Sequence, residues 1–218
     1  MASQPTSSDE LPLRAELFNV DQLERHARIL AGGHHLAAGK SENKLLPRLA
    51  ENEQVLIDAY VLIATAAKRG CQIEPAAEWL LDNFYLLEEQ IGSTRRLLPR
   101  SYSGELPRLS LGPAASFPRV YGIALELIAH TDGRVDSASL DAFIASYQSV
   151  VPLKLGELWA LPLMLRLALI ENLRRVSTRI SQGRCDRDVA EDWAARMIQM
   201  AEHSPTDLVL VLADFARE

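Results

Sequence analysis

At 218 residues with a net charge of −6, the chain is long enough to bury a sizeable core and too acidic for a surface built to neutralise nucleic-acid phosphates. Hydrophobic residues make up 48% and charged residues 24%, the balance of a folded globular chain. The two cysteines, Cys71 and Cys185, form neither a zinc pattern nor a disulfide framework, which fits a reducing compartment.

The N-terminus, MASQPTSSDELP, has no basic or apolar region of a secretory signal. Residues 1–16 read as a loose or disordered arm, and 17–218 as a single helical domain. A helix opens at Asn19 or Asp21, buries Leu23, Ala27 and Leu30, and stops at Gly32-Gly33. His34 and His35 read as a loop, since sequence neighbours do not converge on a metal without other ligands. A second helix, 45–69, repeats Leu45, Leu49, Leu56, Tyr60 and Ile63 at helical spacing. A third, 75–97, starts on Pro75 and carries the apolar stripe Leu80, Phe84, Leu87 and Ile91. Glu78, Asp82, Tyr85 and Glu89 share its other side. They read as a solvated acidic face, or as a source of one carboxylate turned inward to meet a buried arginine.

Residues 99–118 hold four prolines and two glycines, so no helix passes through them. Leu106, Leu109, Leu111 and Phe117 are expected to pin this crossover to the helices. Arg100, Tyr102, Arg108 and Arg119 offer an anion contact as the alternative to simple packing. A helix from 118 to 129 follows, with Glu126 the one charge in its interior, and His130-Thr131-Asp132-Gly133 ends it. His130 reads as a carbonyl cap or as a general base. Asp136 or Ser137 opens the next helix, which Pro152 ends.

Residues 155–175, LGELWALPLMLRLALIENLRR, are apolar around the whole helix circumference between Leu158 and Ile170 except at Arg166. That pattern predicts the buried central helix of the domain, interrupted at Pro162 and too short to span a bilayer. Arg166 is then expected to be buried and paired with an acid, Glu126 first and Glu78 or Asp82 next. Gly183 is expected to close this segment. Asp186-Arg187-Asp188 reads as the acidic start of a further helix, not as a metal site. A last helix, 208–215, runs into the C-terminus without a cap, which suggests a piece of something longer. The fold class is all-α: a compact multi-helix domain of eight or nine helices around a buried central helix, with one long Pro-rich irregular crossover.

No nucleophile elbow, phosphate loop, zinc helix or cysteine cluster is present in the sequence, so neither a catalytic residue nor a metal ligand is assigned. A dispersed series of blocks is more informative. It runs E-W-L-L-D-N-F (78–84) and E-E-Q-I (88–91), then Tyr102 and E-L-P (105–107), P-R-V-Y (118–121) and A-H-T-D (129–132). G-E-L-W-A (156–160) and E-N-L-R-R (171–175) complete it. In this order the blocks resemble the N-terminal region of the bacterial cyclic β-1,2-glucan synthases, over roughly 17–182. Lys154 departs from the pattern, because the family often places a hydroxyl or similar cap before G-E-L-W.

The resemblance implies a very large inner-membrane enzyme that polymerises glucose from UDP-glucose, with a divalent metal, and cyclises the product. It places the nucleotide-sugar site, the membrane spans and the phosphorylase-like domain downstream. This chain is then expected to be an N-terminal helical piece on the cytoplasmic side, without a membrane span, catalytic centre or cofactor of its own. Its expected partners are the downstream domains of the same polypeptide and, through self-association, other copies, with no nucleic acid. Three roles follow. In a scaffold, Glu78, Asp82 or Glu126 would form a buried polar network with Arg119, Arg166 and Arg174. In a carbohydrate- or nucleotide-sugar-binding module, Trp79, Trp159 and Tyr102 would stack on sugars while Glu78, Asp82 and Glu157 bind hydroxyls. The third is a helical protein-interaction module.

Overall fold

The computed structural model describes residues 16–38, 44–98 and 105–203. Six helices make up the described chain: α1 Val20–Gly33, α2 Leu45–Lys68, α3 Pro75–Leu97, α4 Arg119–His130, α5 Ser137–Gln148 and α6 Leu155–His203. The all-α architecture expected from helical periodicity is the one observed. Arg100, Tyr102 and the 208–215 segment lie outside the described residues.

Local chemistry sets the boundaries. Asn19 caps α1 in a capping box with Gln22, each side chain bonding the other's backbone N–H at 2.9 Å. Pro75 occupies the first turn of α3, where a missing N–H costs nothing. Asp136 caps α5 by accepting from Ser139 N at 2.7 Å. Asp132 and Gly133 turn the chain between α4 and α5 through positive φ of 53° and 74°.

The crossover before α4 is ordered by backbone pairing. Ala37 N donates to Arg108 O at 2.8 Å, Ser110 N to His35 O at 2.9 Å and Arg119 N to Pro107 O at 2.8 Å. Leu106 and Leu109 are buried as expected, whereas Leu111 points outward. Gly122 permits the close approach: a Cβ there would meet Leu109 Cδ1 at 2.9 Å and Ala114 Cβ at 3.3 Å.

Two expectations need correction. First, α6 does not end at Gly183. It continues as one 49-residue helix through Pro162, Gly183 and Asp186. Pairs spaced i,i+4, Gln182 with Asp186 and Arg184 with Asp188, carry the helix across Gly183. Second, α6 is not enclosed on all sides. Ala160, Met164, Leu167, Ala168 and Ile170 are buried, but Leu155, Trp159, Pro162, Leu169 and Val176 are exposed. These five fall at spacings of four, three, seven and seven, which puts them on one outward face. The most enclosed helix is α4, where every residue from Arg119 to Ala124 is buried, along with Leu127 and Ile128. Helix α6 packs against α4, α2 and α3, while α1 packs against α5.

Candidate functional site: three interior carboxylates and a histidine-lined groove

Arg166, expected to be the buried cation, is only half-buried, and its Nη1 donates to Ser93 Oγ at 3.2 Å on α3. Glu126 is not its partner, and Glu78 and Asp82 lie exposed on the outer side of α3, as a solvated face would. The misassignment has a geometric cause. Arg166 shares the outward face of α6 with Trp159 and Pro162, so its guanidinium reaches along the surface to α3 and not into the core.

The charge taken into the core at the start of α6 belongs to Glu157. Its side chain is 0% exposed and its partner Arg119 3%. Arg119 Nε donates to Oε1 at 2.9 Å and Nη2 to Oε2 at 2.6 Å, a two-pronged guanidinium–carboxylate fit. The remaining capacity is used locally. Lys154 N donates to Glu157 Oε2 at 2.9 Å, the half of a capping box that the N3 carboxylate makes, while Glu157 N donates to Lys154 O at 2.9 Å. Arg119 Nη2 also donates to Pro152 O at 3.2 Å, and its guanidinium lies 5.9 Å from the centre of the Tyr147 ring.

About four turns further along α6, Glu171 is a second buried anion with more partners. Arg48 donates through Nε at 2.9 Å and Nη2 at 2.5 Å, and Asn52 through Nδ2 at 2.7 Å. Arg174 adds Nη2 at 3.1 Å, and Arg175 Nε sits 3.7 Å away. Burial alone would raise the Glu171 carboxyl. The hydrogen bonds and charge of Arg48, with Arg174 behind, outweigh it and hold the group below the ordinary carboxylate range. Arg119 and Arg174 thus both belong to buried networks, with Glu157 and Glu171 as their acids. Glu171 was missed as a site residue. Its signal was present in E-N-L-R-R, where Glu171, Arg174 and Arg175 stand i, i+3, i+4 on one helix face.

Glu126 is the third carboxylate and lies about two turns along α4 from Arg119. Its Oε2 is 2.9 Å from His26 Nε2 on α1 and 3.6 Å from His130 Nε2, one turn along its own helix. Burial works to raise Glu126, and the His26 hydrogen bond with the surrounding imidazoles overcomes it, lowering the pKa on balance. His26 and Glu126 line a groove between α1, α4 and the crossover, of about 420 Å³, whose wall also includes His34, Leu109, Pro113 and Gly122. His34 Nδ1 and Tyr147 OH share a hydrogen bond of 2.8 Å. Burial, then the nearby Arg119 charge, drop His34 to about 4, so its ring is neutral at pH 7. Burial pushes Tyr147 up to about 12.

The remaining sequence candidates do not gather at these centres. Trp79 and Trp159 are 50% and 73% exposed, so neither is a core tryptophan. Neither lines the histidine groove. Asp132 is exposed on the turn after α4. Arg108 and Arg119 are both buried and offer no surface for an anion. Among the described residues no helix is long and apolar enough to cross a membrane.

No protein-family model matches the chain. The chain is 36% identical over 200 residues to the cyclic beta-(1,2)-glucan synthase NdvB of Rhizobium meliloti (strain 1021), a match that covers 91% of this chain and 7% of that protein. The likeness read from the dispersed blocks is therefore borne out, and the chain corresponds along nearly its whole length to a small part of a cyclic beta-(1,2)-glucan synthase.

Proposed function

We propose that this chain is a helical module that packs against and positions the rest of a cyclic β-1,2-glucan synthase, on the cytoplasmic side of the membrane, and does not itself hold the glycosyl-transfer centre. One observation carries the reading: the charged residues of three of the family-like blocks, P-R-V-Y, G-E-L-W-A and E-N-L-R-R, are packing residues. Arg119 of P-R-V-Y meets Glu157 of G-E-L-W-A, and Glu171, Arg174 and Arg175 of E-N-L-R-R close on one another and on α2. Such buried pairs fix one arrangement of otherwise interchangeable apolar helices. None of Arg119, Glu157, Glu171, Arg174 and Arg175 lines the histidine groove.

The family-like blocks put their tryptophans outside. Trp159 stands with Leu155, Pro162, Leu169 and Val176 on the outward face of α6. An exposed apolar row of this kind marks a contact surface. The remainder of the synthase is the occupant favoured here, because the chain spans only 7% of the length of the relative it matches. UDP-glucose and any divalent metal serving glucose transfer then bind elsewhere in the enzyme.

Calorimetric titration of the chain with UDP-glucose and with β-1,2-gluco-oligosaccharides tests the first half. No saturable heat is expected at micromolar ligand, and saturable micromolar binding would sink the scaffold reading in favour of a sugar-handling module. Trp159→Ser tests the second half. In the isolated chain it is expected to change stability by less than about 0.5 kcal/mol, as for an exposed site. In the whole synthase it is expected to lower glucan output or assembly several-fold. Unchanged synthesis would remove the α6 face as the contact.

A further inference from the structure

We infer that His26, Glu126 and His130 form a binding site for one divalent transition-metal ion of the zinc type, clasping α1 to α4 at the edge of the groove. The inference is independent of the scaffold reading and departs from the sequence expectation that no metal ligand is present.

The three side chains offer one ligand atom each, and these atoms lie within 4.8 Å of one another. A tetrahedral zinc ion with bonds of about 2.0–2.1 Å holds its ligand atoms roughly 3.3 Å apart. His26 Nε2 and His130 Nε2 stand 2.9 and 3.6 Å from Glu126 Oε2, on either side of that spacing. Small rotations of the rings bring the set to bonding distance. Glu126 and His130 are one helical turn apart on α4, so both face α1 without any loop having to order.

The surroundings fix the imidazoles for ligation. His130 Nδ1 is 2.8 Å from the carbonyl of Glu16, an acceptor only, so Nδ1 carries the hydrogen and donates. The lone pair of a neutral His130 is therefore on Nε2, directed at the carboxylate. A carbonyl behind the ligating ring is the usual way proteins set a metal-binding histidine's tautomer. Phe18 stacks on the His130 ring at 3.9 Å and meets His26 edge-on at 5.4 Å, which holds both rings in place. The carboxylate accepts from His26 Nε2–H at 2.9 Å, and for the ring to ligate, that hydrogen would move to Nδ1 and the metal ion would take its place. Two imidazoles and one carboxylate favour Zn²⁺, Co²⁺ or Ni²⁺ over the all-oxygen shells of Mg²⁺ and Ca²⁺. His26 and Glu126 line the groove, so water or an exchangeable ligand reaches the fourth position from there.

The test uses the tag-free 218-residue chain, stripped with chelator and titrated calorimetrically with Zn²⁺. One ion per chain is expected, with a Kd on the order of 1 µM or tighter. Co²⁺ is expected to give the visible absorption of a four-coordinate nitrogen–oxygen site. His26→Gln and His130→Gln should each weaken Zn²⁺ by about 10–100-fold, while His35→Asn leaves it unchanged. Nitrogen-15 spectra of the wild-type imidazoles give a readout that needs no variant: Nε2 of His26 and His130 should shift on adding Zn²⁺. Absence of binding at 100 µM Zn²⁺, loss of binding in His35→Asn, or unmoved His26 and His130 resonances would each overturn the site.

Discussion

Glu157 and Glu126 are both carboxylates taken into the interior of one domain, and they are held by opposite kinds of partner. Glu157 meets a guanidinium that keeps its proton at any pH the fold survives, and the pair is sealed, at 0% and 3% exposure. Glu126 meets two imidazoles, which offer nitrogen lone pairs as well as N–H groups, at the rim of a groove. The first arrangement suits a joint that must never open. The second suits a place that can admit a metal ion. Glu171 sides with Glu157, having three arginines and an amide around it.

The comparison is broken most sharply at Arg119. Arg119→Met leaves Glu157 buried with only the Lys154 N–H for company, and a loss of about 3–5 kcal/mol is expected in denaturant unfolding. The double variant Arg119→Met with Glu157→Met should regain most of that loss, ending within about 1–2 kcal/mol of the wild type, because no stranded charge remains. If the single and double variants lose equally, packing by the arginine stem, and not the ion pair, dominates there.

The imidazole side is sharpened by pH. His34 falls from 6.5 to about 4 on folding, so between these values the unfolded chain holds the proton and the folded chain does not. Stability is therefore full above pH 6.5 and declines as pH falls toward 4, by about 1–2 kcal/mol once solvent screening of a half-exposed ring is allowed for. The lowered carboxyls Glu126 and Glu171 add their own losses, as pH falls from the unfolded carboxylate range through their folded values. His34→Gln keeps a hydrogen-bonding group beside Tyr147 and cannot titrate. Its melting temperature is expected to be flatter than the wild type's between pH 6.5 and 4.5, and equal slopes would remove His34 as the cause.

How much of this was legible in the sequence depends on the range of the interaction. The bounds of α3, the Asn19 cap and the Asp136 cap are set by residues within one turn, and the sequence carries them almost to the residue. The end of α6 was not legible, because Gly183 is a stop signal only when the following residues adopt a turn. Here Arg184, Asp188 and Gln182 with Asp186 knit the helix across it. The three carboxylate centres were legible in part. Glu126 stands out as the one charge inside an apolar helix, while Arg119, Arg174, His130 and Glu157 are candidates through the blocks they belong to and the ends of their helices. Their pairing was not legible, because it joins residues 38 to 123 positions apart: Arg119 to Glu157, His26 to Glu126, Arg48 to Glu171. Single-sequence reasoning sees the face of a helix and not which helix lies across from it.

Arg166 shows what that blindness costs, and it gives the smallest of the expected effects. An apolar stretch around a lone arginine reads as a core with a buried cation, but half of that apolar surface is an outward face. Met at 166 would strand no carboxylate, since Arg166 donates to the Ser93 hydroxyl at 3.2 Å and no ion pair joins it to Glu126. Removing a half-exposed, neutral-partner hydrogen bond costs at most about 1 kcal/mol, and Met restores much of the arginine stem's contact with α3. Arg166→Met is therefore expected to unfold within about 1 kcal/mol of the wild type in denaturant, several-fold less perturbed than Arg119→Met. A loss as large as at Arg119 would mean that Arg166 neutralises an interior anion after all, and that the outward face of α6 is more enclosed in solution than the exposure of Trp159 implies.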